Sequence, residues 1–292
     1  NLRIAEWAHE LKAKSQKLKA KTIFYISPQV WAWKESRVPK MKKAIDKMIV
    51  ILPFEKDYYR NKWNWDVDYV GHPLVQVIDE FKNGQRSTVN GQQLSHTKNL
   101  IAILPGSRKQ ESAKKLPIML EVSKAFPEYQ FVLAKAPSVD DEFYAGFMQR
   151  YTNVSSVGNK TYELLSQSTA ALVTSGTATL ETALFDVPEV VCYKGSNISY
   201  EIAKRLIKIK SISLVNLLMD KPVVKELIQN DLTVENLKRE LSELIFDEVK
   251  QQQLKKDYED LRNILSSGGD ASANAAKIIY DFVNTSSYTS EM

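Results

Sequence analysis

Apolar positions along the 292-residue chain change their period repeatedly. Leu2, Ala5, Ala8 and Leu11 recur at three-residue spacing and predict an opening helix with one apolar face. Short β-rich runs then alternate with helical stretches. Strands are predicted over residues 22–26, 48–52, 67–70, 99–104, 130–134, 154–157, 170–174, 189–193 and 213–214. Helices are predicted over 54–62, 116–126, 161–166, 178–185 and 200–207. The chain is helical from Thr233 onward, and Gly268-Gly269 sets off a last helix over 271–283. Strands alternating with helices indicate an α/β fold of parallel sheets joined by helical crossovers. The polar stretch 82–98, with Gly84, Gly91, Gln92 and Gln93, follows neither period and reads as a linker. The boundary is placed just before it, near residues 71–74. This gives an N-terminal domain over 1–74, a linker over 75–98, a C-terminal domain over 99–265 and a last helical segment over 266–292. No internal repeat or low-complexity tract interrupts the pattern.

A chain of this length suits about two domains of ~100–200 residues each. Hydrophobic residues at 43% and charged residues at 26% exclude a disordered or fibrous chain. The densest apolar run, Met48-Ile-Val-Ile-Leu-Pro-Phe54, falls far short of the roughly 18 residues that span a bilayer, so no transmembrane helix is predicted. A single cysteine, Cys192, cannot form an internal disulfide and suits a reducing, cytoplasmic compartment. With three histidines and one cysteine no metal cluster is visible, and a Cys–His catalytic pair has little to draw on. Residues 1–50 hold twelve Lys and Arg against four Asp and Glu, net +8, within a chain of net +5. That asymmetry fits an anionic partner, a phosphate-rich ligand or a lipid headgroup surface, and equally a merely solvated basic face. Asn1 opens directly into the helical pattern with no initiator Met and no signal-peptide pattern, so the expectation is a fragment whose preceding segment is absent.

Two strand-to-turn segments carry the strongest candidate chemistry. Ala171-Leu-Val-Thr-Ser-Gly-Thr-Ala-Thr-Leu-Glu181 takes an apolar strand through Thr174-Ser-Gly-Thr177 straight into a helix. Gly176 lets backbone approach a ligand closely, and the free N–H groups and dipole of the new helix favour a phosphate there. Glu181, one turn on, is placed to accept hydrogen bonds from sugar hydroxyls beside that phosphate. The same residues also fit a helix capped by Ser175 or Thr177 with Glu181 simply solvated. In Ile101-Ala-Ile-Leu-Pro-Gly-Ser-Arg108 the Pro105-Gly106 pair makes a turn, Ser107 offers a hydroxyl and Arg108 a fork suited to diphosphate oxygens. It is neither a P-loop nor Gly-x-Gly-x-x-Gly, and a surface turn with a solvated arginine is its plain alternative. Both turns fall at the carboxyl ends of predicted parallel strands, where open α/β sheets bind ligands.

A third segment, Tyr25-Ile-Ser-Pro-Gln-Val-Trp-Ala-Trp-Lys34, is followed by Arg37, Lys40, Lys42, Lys43 and Lys47. Cations on a helix beside Trp31 and Trp33 suit an anionic membrane interface, at about 1 kcal/mol per cation near the surface. Core tryptophans with solvated lysines fit as well. No basic-aromatic module for nucleic acid is present. His72, in Gly71-His-Pro73, closes a strand at the boundary and is either cleft-facing or structural. Asn216 is a candidate to read a base or phosphate. Glu55 reads as a first-turn helix residue.

The motifs Tyr25-Ile-Ser-Pro-Gln-Val-Trp-Ala-Trp33, Leu52-Pro-Phe-Glu55, Val70-Gly-His-Pro-Leu74, Leu104-Pro-Gly-Ser-Arg108, Ser175-Gly-Thr-Ala-Thr-Leu-Glu181, Leu214-Val-Asn-Leu217 and Pro222-Val-Val-Lys-Glu-Leu-Ile-Gln229 occur in this order. Together they resemble lipid-A-disaccharide synthases, inverting and metal-independent glycosyltransferases of the GT-B type. The resemblance implies two Rossmann-like domains facing a cleft, the N-terminal one incomplete here, with no cofactor. It implies transfer of sugar from UDP-2,3-diacylglucosamine to 2,3-diacylglucosamine 1-phosphate, giving the β-1,6-linked disaccharide 1-phosphate and UDP. Carried over, Ser175, Gly176, Thr177 and Ala178, with Thr179 in the same turn, hold the diphosphate. Glu181 accepts from ribose hydroxyls, and Gly106, Ser107, Asn216 and Gln229 line the same site. Arg108 neutralises charge on the departing UDP. Trp31, Trp33, Lys34, Arg37, Lys40, Lys42, Lys43 and His72 belong to the acceptor- and membrane-facing part, which implies peripheral attachment to the cytoplasmic face of the inner membrane. The resemblance also admits a homodimer and a last helix packed back on the N-terminal domain.

One departure stands out. The family's Asp-x-Pro-x-Phe motif precedes Asn-Leu-Arg, which here are residues 1–3, so its general-base aspartate is not in this chain. The expectation is a polypeptide that binds UDP without turning over alone. Lys221 stands where many relatives carry arginine. The rival readings are a GT-B epimerase or peptidoglycan-type transferase, which leaves the Ser-Pro-Gln-Val-Trp-Ala-Trp segment unexplained, and a non-catalytic membrane-surface module.

Overall fold

A computed structural model describes residues 1–15, 20–88, 99–195 and 211–285. The chain forms two compact units. Among the described residues, one comprises 1–77 and 263–285, and the other 78–195 and 211–262.

The first unit holds a parallel three-stranded sheet, β1 (Ile23–Tyr25), β2 (Lys47–Val50) and β3 (Asp68–Tyr69), in the order β1-β2-β3. Its helices are α1 (Leu2–Lys14), α2 (Val30–Trp33), α3 (Val38–Ala44) and α4 (Pro53–Trp63). α3 buries Val38, Met41 and Ala44, at three-residue spacing, against Tyr59 and Trp65. Pro53 opens α4 at its first turn, where the missing N–H costs nothing. Glu55 reaches back from the same turn to accept the Leu52 N–H at 3.0 Å, the first-turn role its position predicts.

The C-terminal helix α13 (Ala271–Asn284) belongs to this unit, burying Ala271 and Ala275 against Ile49 and Val70. The Asn274 side-chain amide donates to the Val70 carbonyl at 3.2 Å, and Lys21 donates to the Phe282 carbonyl. The crossing is tight at Gly71 and Gly268: a Cβ on Gly268 would lie 2.4 Å from the Gly71 Cα.

The second unit is a six-stranded, all-parallel sheet in the order β6-β5-β4-β7-β8-β9. Its strands are β4 (Leu100–Leu104), β5 (Gln130–Lys135), β6 (Val154–Gly158), β7 (Ala170–Thr174), β8 (Glu189–Tyr193) and β9 (Lys225–Ile228). Continuous apolar runs such as Ala170–Thr174 are buried along their whole length, as a sheet covered on both faces requires. Between the strands lie α6 (Lys109–Glu121), α7 (Asp141–Met148), α8 (Thr161–Leu165), α9 (Thr177–Leu184) and α10 (Leu214–Met219). α11 (Val234–Phe246) and α12 (Glu248–Ser266) follow.

Several sequence expectations change. Residues 213–214 are not a strand: Ser213 caps α10, its hydroxyl accepting the Asn216 N–H at 3.2 Å. The strand of this region is β9, which pairs with β8. The 82–98 stretch is not linker throughout, because α5 (Pro73–Thr88) runs into it, and the division between the units falls within that helix. α6 begins at Lys109 rather than 116, with Pro117 in its interior rather than at its start. α7 had no counterpart among the predicted helices. The helix predicted over 200–207, the rest of the linker and the Trp33 side chain lie outside the described residues.

Candidate functional site

β4 and β7 are neighbours, with Leu104 opposite Val173, so the turns that follow them emerge side by side. The strand order also reverses here: successive strands step outward from β4 to β6 on one side and from β7 to β9 on the other. At such a reversal the two connections depart in opposite directions and leave a crevice at the carboxyl edge.

Both turns need glycine. Gly106 has φ +87°, and a Cβ there would stand 2.8 Å from the Thr174 Cγ2. Ser112, on α6, ties this turn down by donating to the Pro105 carbonyl at 3.0 Å. Gly176 has φ +141°, but a Cβ there would meet nothing within 4 Å. Its requirement is therefore conformational, and open space lies beside it. The Ser175 hydroxyl fixes the second turn by donating to the Ile212 carbonyl at 2.8 Å.

Between the turns lies a cavity of about 400 Å³, walled by Gly106, Ser107 and Arg108 from one side and Ser175, Gly176, Thr177 and Ala178 from the other. Among the described residues, the N–H groups of Thr177 and Ala178 have no protein acceptor, whereas Thr179 donates to the Gly176 carbonyl at 3.2 Å. These open amides at the start of an eight-residue helix suit an anion. Arg108 stands at the rim with its side chain 78% exposed, held among the described residues only by Glu111 at 2.9 Å. An exposed i,i+3 pair of this kind is weak and leaves the guanidinium able to turn to a stronger anion.

A cation that the sequence reading missed completes the wall. Lys115 is 1% exposed, lines the cavity and donates to the Thr174 hydroxyl. Burial pushes its ammonium below the usual lysine range. Its signal is positional: Ser112, Lys115, Leu116 and Met119 share the buried face of α6, so this lysine falls in an apolar register.

The remaining candidates divide. Thr179 is fully buried and donates to the Gly176 carbonyl at 2.8 Å, so it shapes the helix start and does not line the cavity. Asn216 is a structural clamp: its amide donates to the Val224 carbonyl and Glu226 carboxylate, both at 2.9 Å, and accepts the Val224 N–H. The start of α10 is also filled from within, because Glu226 accepts the Ile212 and Ser213 N–H groups. Gln229 has φ +53° and accepts the Gly195 N–H at 3.0 Å; its side-chain N–H₂ is buried without a partner among the described residues. Glu181 lies outside the cavity wall and accepts from Tyr162 at 3.2 Å, with its carboxyl raised by burial.

In the first unit, the Trp31 ring packs edge-on against Phe54, and its N–H donates to Glu55 at 3.2 Å. Burial raises that carboxyl to about 7. Lys42 caps the end of α4 through the Trp63 and Asn64 carbonyls, at 3.1 and 2.6 Å. Arg37, Lys40 and Lys43 are exposed, and Lys34 is half-buried. His72 is 4% exposed, its ring Nδ1 accepting the Leu74 N–H, and burial lowers it to about 4. It is a neutral structural histidine. Lys221 pairs with Asp257 at 2.6 Å. Among the described residues no cluster of three or more His, Cys, Asp and Glu is placed to hold a metal ion, and no helix is long and apolar enough to cross a membrane.

Comparison with known proteins agrees with this architecture. Solved glycosyltransferases share the fold, including the kitacinnamycin glycotransferase (TM-score 0.55, 14% identity, 93% of this chain and 72% of that one). So does the UDP-GlcNAc 2-epimerase from Neisseria meningitidis bound to UDP-GlcNAc (TM-score 0.55, 14% identity, 89% and 68%). Among curated proteins, the lipid-A-disaccharide synthase of Trichlorobacter lovleyi is 32% identical over 278 residues, covering 93% of this chain and 72% of its own length. The lipid-A-disaccharide synthase 1 of Legionella pneumophila strain Paris is 39% identical over 248 residues, covering 83% and 62%. The chain thus spans 62 to 72% of these relatives' length. The family model described as lipid-A-disaccharide synthetase matches residues 5–280, and with these relatives it establishes that the chain belongs to the lipid-A-disaccharide synthase family.

Proposed function

We propose that the cavity between the Gly106 and Gly176 turns binds the diphosphate of a UDP-sugar, and that the protein acts in joining UDP-2,3-diacylglucosamine to 2,3-diacylglucosamine 1-phosphate. The acceptor hydroxyl gives its proton to a general base as its oxygen attacks the anomeric carbon, the bond from that carbon to the diphosphate oxygen breaks, and UDP leaves with the bonding electron pair. The Thr177 and Ala178 N–H groups take phosphate oxygens, and Arg108 turns from Glu111 to neutralise the leaving UDP. The observation that carries this reading is the meeting of two positive-φ glycine turns over one cavity at the strand reversal. Family membership supports the glycosyl-transfer chemistry. A calorimetric titration with UDP tests it: saturable one-to-one binding that UDP-2,3-diacylglucosamine displaces is expected, and no heat from either ligand refutes it.

The exposed Arg37, Lys40 and Lys43 support peripheral contact with anionic lipid, each worth about 1 kcal/mol near the surface. Trp31 is committed to Phe54 and Glu55, so this contact is electrostatic and weakens with salt. Co-sedimentation with phosphatidylglycerol vesicles that persists when all three cations are replaced by glutamine would count against it.

A further inference from the structure

We infer that Lys115 is a positioning residue for this cavity, orienting the Thr174 hydroxyl so that its proton is directed to a bound phosphate oxygen. The inference rests on the reading that the cavity takes a nucleoside diphosphate. An ammonium only donates, so in the contact between Lys115 and Thr174 the hydroxyl oxygen must accept. The hydroxyl proton is thereby left for another acceptor. Thr174 lines the cavity and is 8% exposed, and among the described residues its hydroxyl donates to no protein group.

Charge points the same way. Lys115 is buried, and no carboxylate lies within ion-pair distance of it among the described residues. Glu111, one turn earlier on α6, pairs with Arg108 instead, and the nearby Cys192 thiol is held neutral by burial, pushed up to about 12. A buried cation without a counter-ion is costly, and this one lines the cavity whose open amides already favour an anion. A phosphate there supplies the missing countercharge and accepts the Thr174 proton. Lys115 therefore acts through Thr174 and the local field, while Arg108 acts from the rim.

The test compares UDP with uridine, which lacks the phosphates, by ligand-observed NMR on wild type, Lys115→Met, Thr174→Val and the double variant. Lys115→Met is expected to weaken UDP about 10- to 100-fold, the loss of one charge-assisted contact, and to leave uridine within about twofold. Thr174→Val should weaken UDP in the same direction, and the double variant should be no worse than Lys115→Met, as for residues acting as one unit. UDP binding to Lys115→Met at wild-type strength overturns the inference. So does equal loss of UDP and uridine, which marks a merely structural lysine, and so do additive effects, which mark a lysine acting without Thr174. If the wild-type protein binds neither ligand, the diphosphate reading itself fails and the role of Lys115 falls with it.

Discussion

A Cβ on Gly106 would stand 2.8 Å from the Cγ2 of Thr174, so the two turns that enclose the cavity touch with no room for a side chain between them. Gly106→Ala must strain φ +87° as well as push Thr174 aside. It is expected to cost about 1–3 kcal/mol in urea denaturation and to weaken UDP more than tenfold in calorimetry. Gly176→Ala meets no protein atom, so its stability cost is the backbone term alone, while its new methyl projects into the space beside the open amides. A Gly106→Ala protein of wild-type stability and affinity would contradict this geometry.

The crossing of Gly71 and Gly268 makes a second prediction. Gly268→Ala places a Cβ 2.4 Å from backbone that cannot rotate away, so the docking of α13 must shift. A loss of at least about 2–3 kcal/mol is expected from denaturant midpoints, with hydrogen exchange accelerated first in residues 271–284. Unchanged protection of that helix would contradict the crossing.

Glu55 sets a pH dependence. Its carboxyl sits at about 7 in the folded protein against 4.5 ordinarily, because burial disfavours the charged form. The native state therefore holds a proton that the unfolded state releases between those values. Its contribution to stability is complete below about 4.5 and is lost as pH rises through about 7. Relative to wild type, Glu55→Gln should gain on the order of 3 kcal/mol between pH 4 and 8. Parallel wild-type and variant stability profiles would contradict the assignment.

Glu189 opens β8 fully buried, and neither carboxyl oxygen has a partner among the described residues. Burial holds that carboxyl well above its usual range. Glu189→Met keeps the volume and removes an unpaired polar group, so it should stabilise the protein by about 1–3 kcal/mol at neutral pH. Destabilisation in a thermal melt would show that the carboxyl has a partner after all.

These features were unevenly legible in the sequence. Strands buried on both faces announce themselves by unbroken apolar runs, Ala170–Val173 in β7 and Val190–Cys192 in β8. β9 does not: it lies at the sheet's edge, and only Leu227 of Lys225–Ile228 is fully buried, so Lys225 and Glu226 read as loop. The helix predicted over 116–126 extends back to Lys109, and α6 carries Pro117 in its interior. The two glycine turns were readable, since each follows directly on an apolar strand, and a helix follows at once after Gly176. The roles of the polar side chains were not. Nothing local distinguishes Asn216, clamped on Val224, or Thr179, folded onto Gly176, from residues that face a ligand. Lys115 precedes the helix predicted over 116–126, so its place on the buried face shows only once α6 is seen to begin at Lys109, and tertiary packing then sets Thr174 beside it.

The most direct measurement is a crystal structure of the protein with UDP. The diphosphate is predicted within hydrogen-bond distance of the Thr177 and Ala178 N–H groups, with the Thr174 hydroxyl donating to it and Arg108 swung off Glu111. UDP seated elsewhere, or Arg108 still paired with Glu111 over an empty turn, would contradict the diphosphate site.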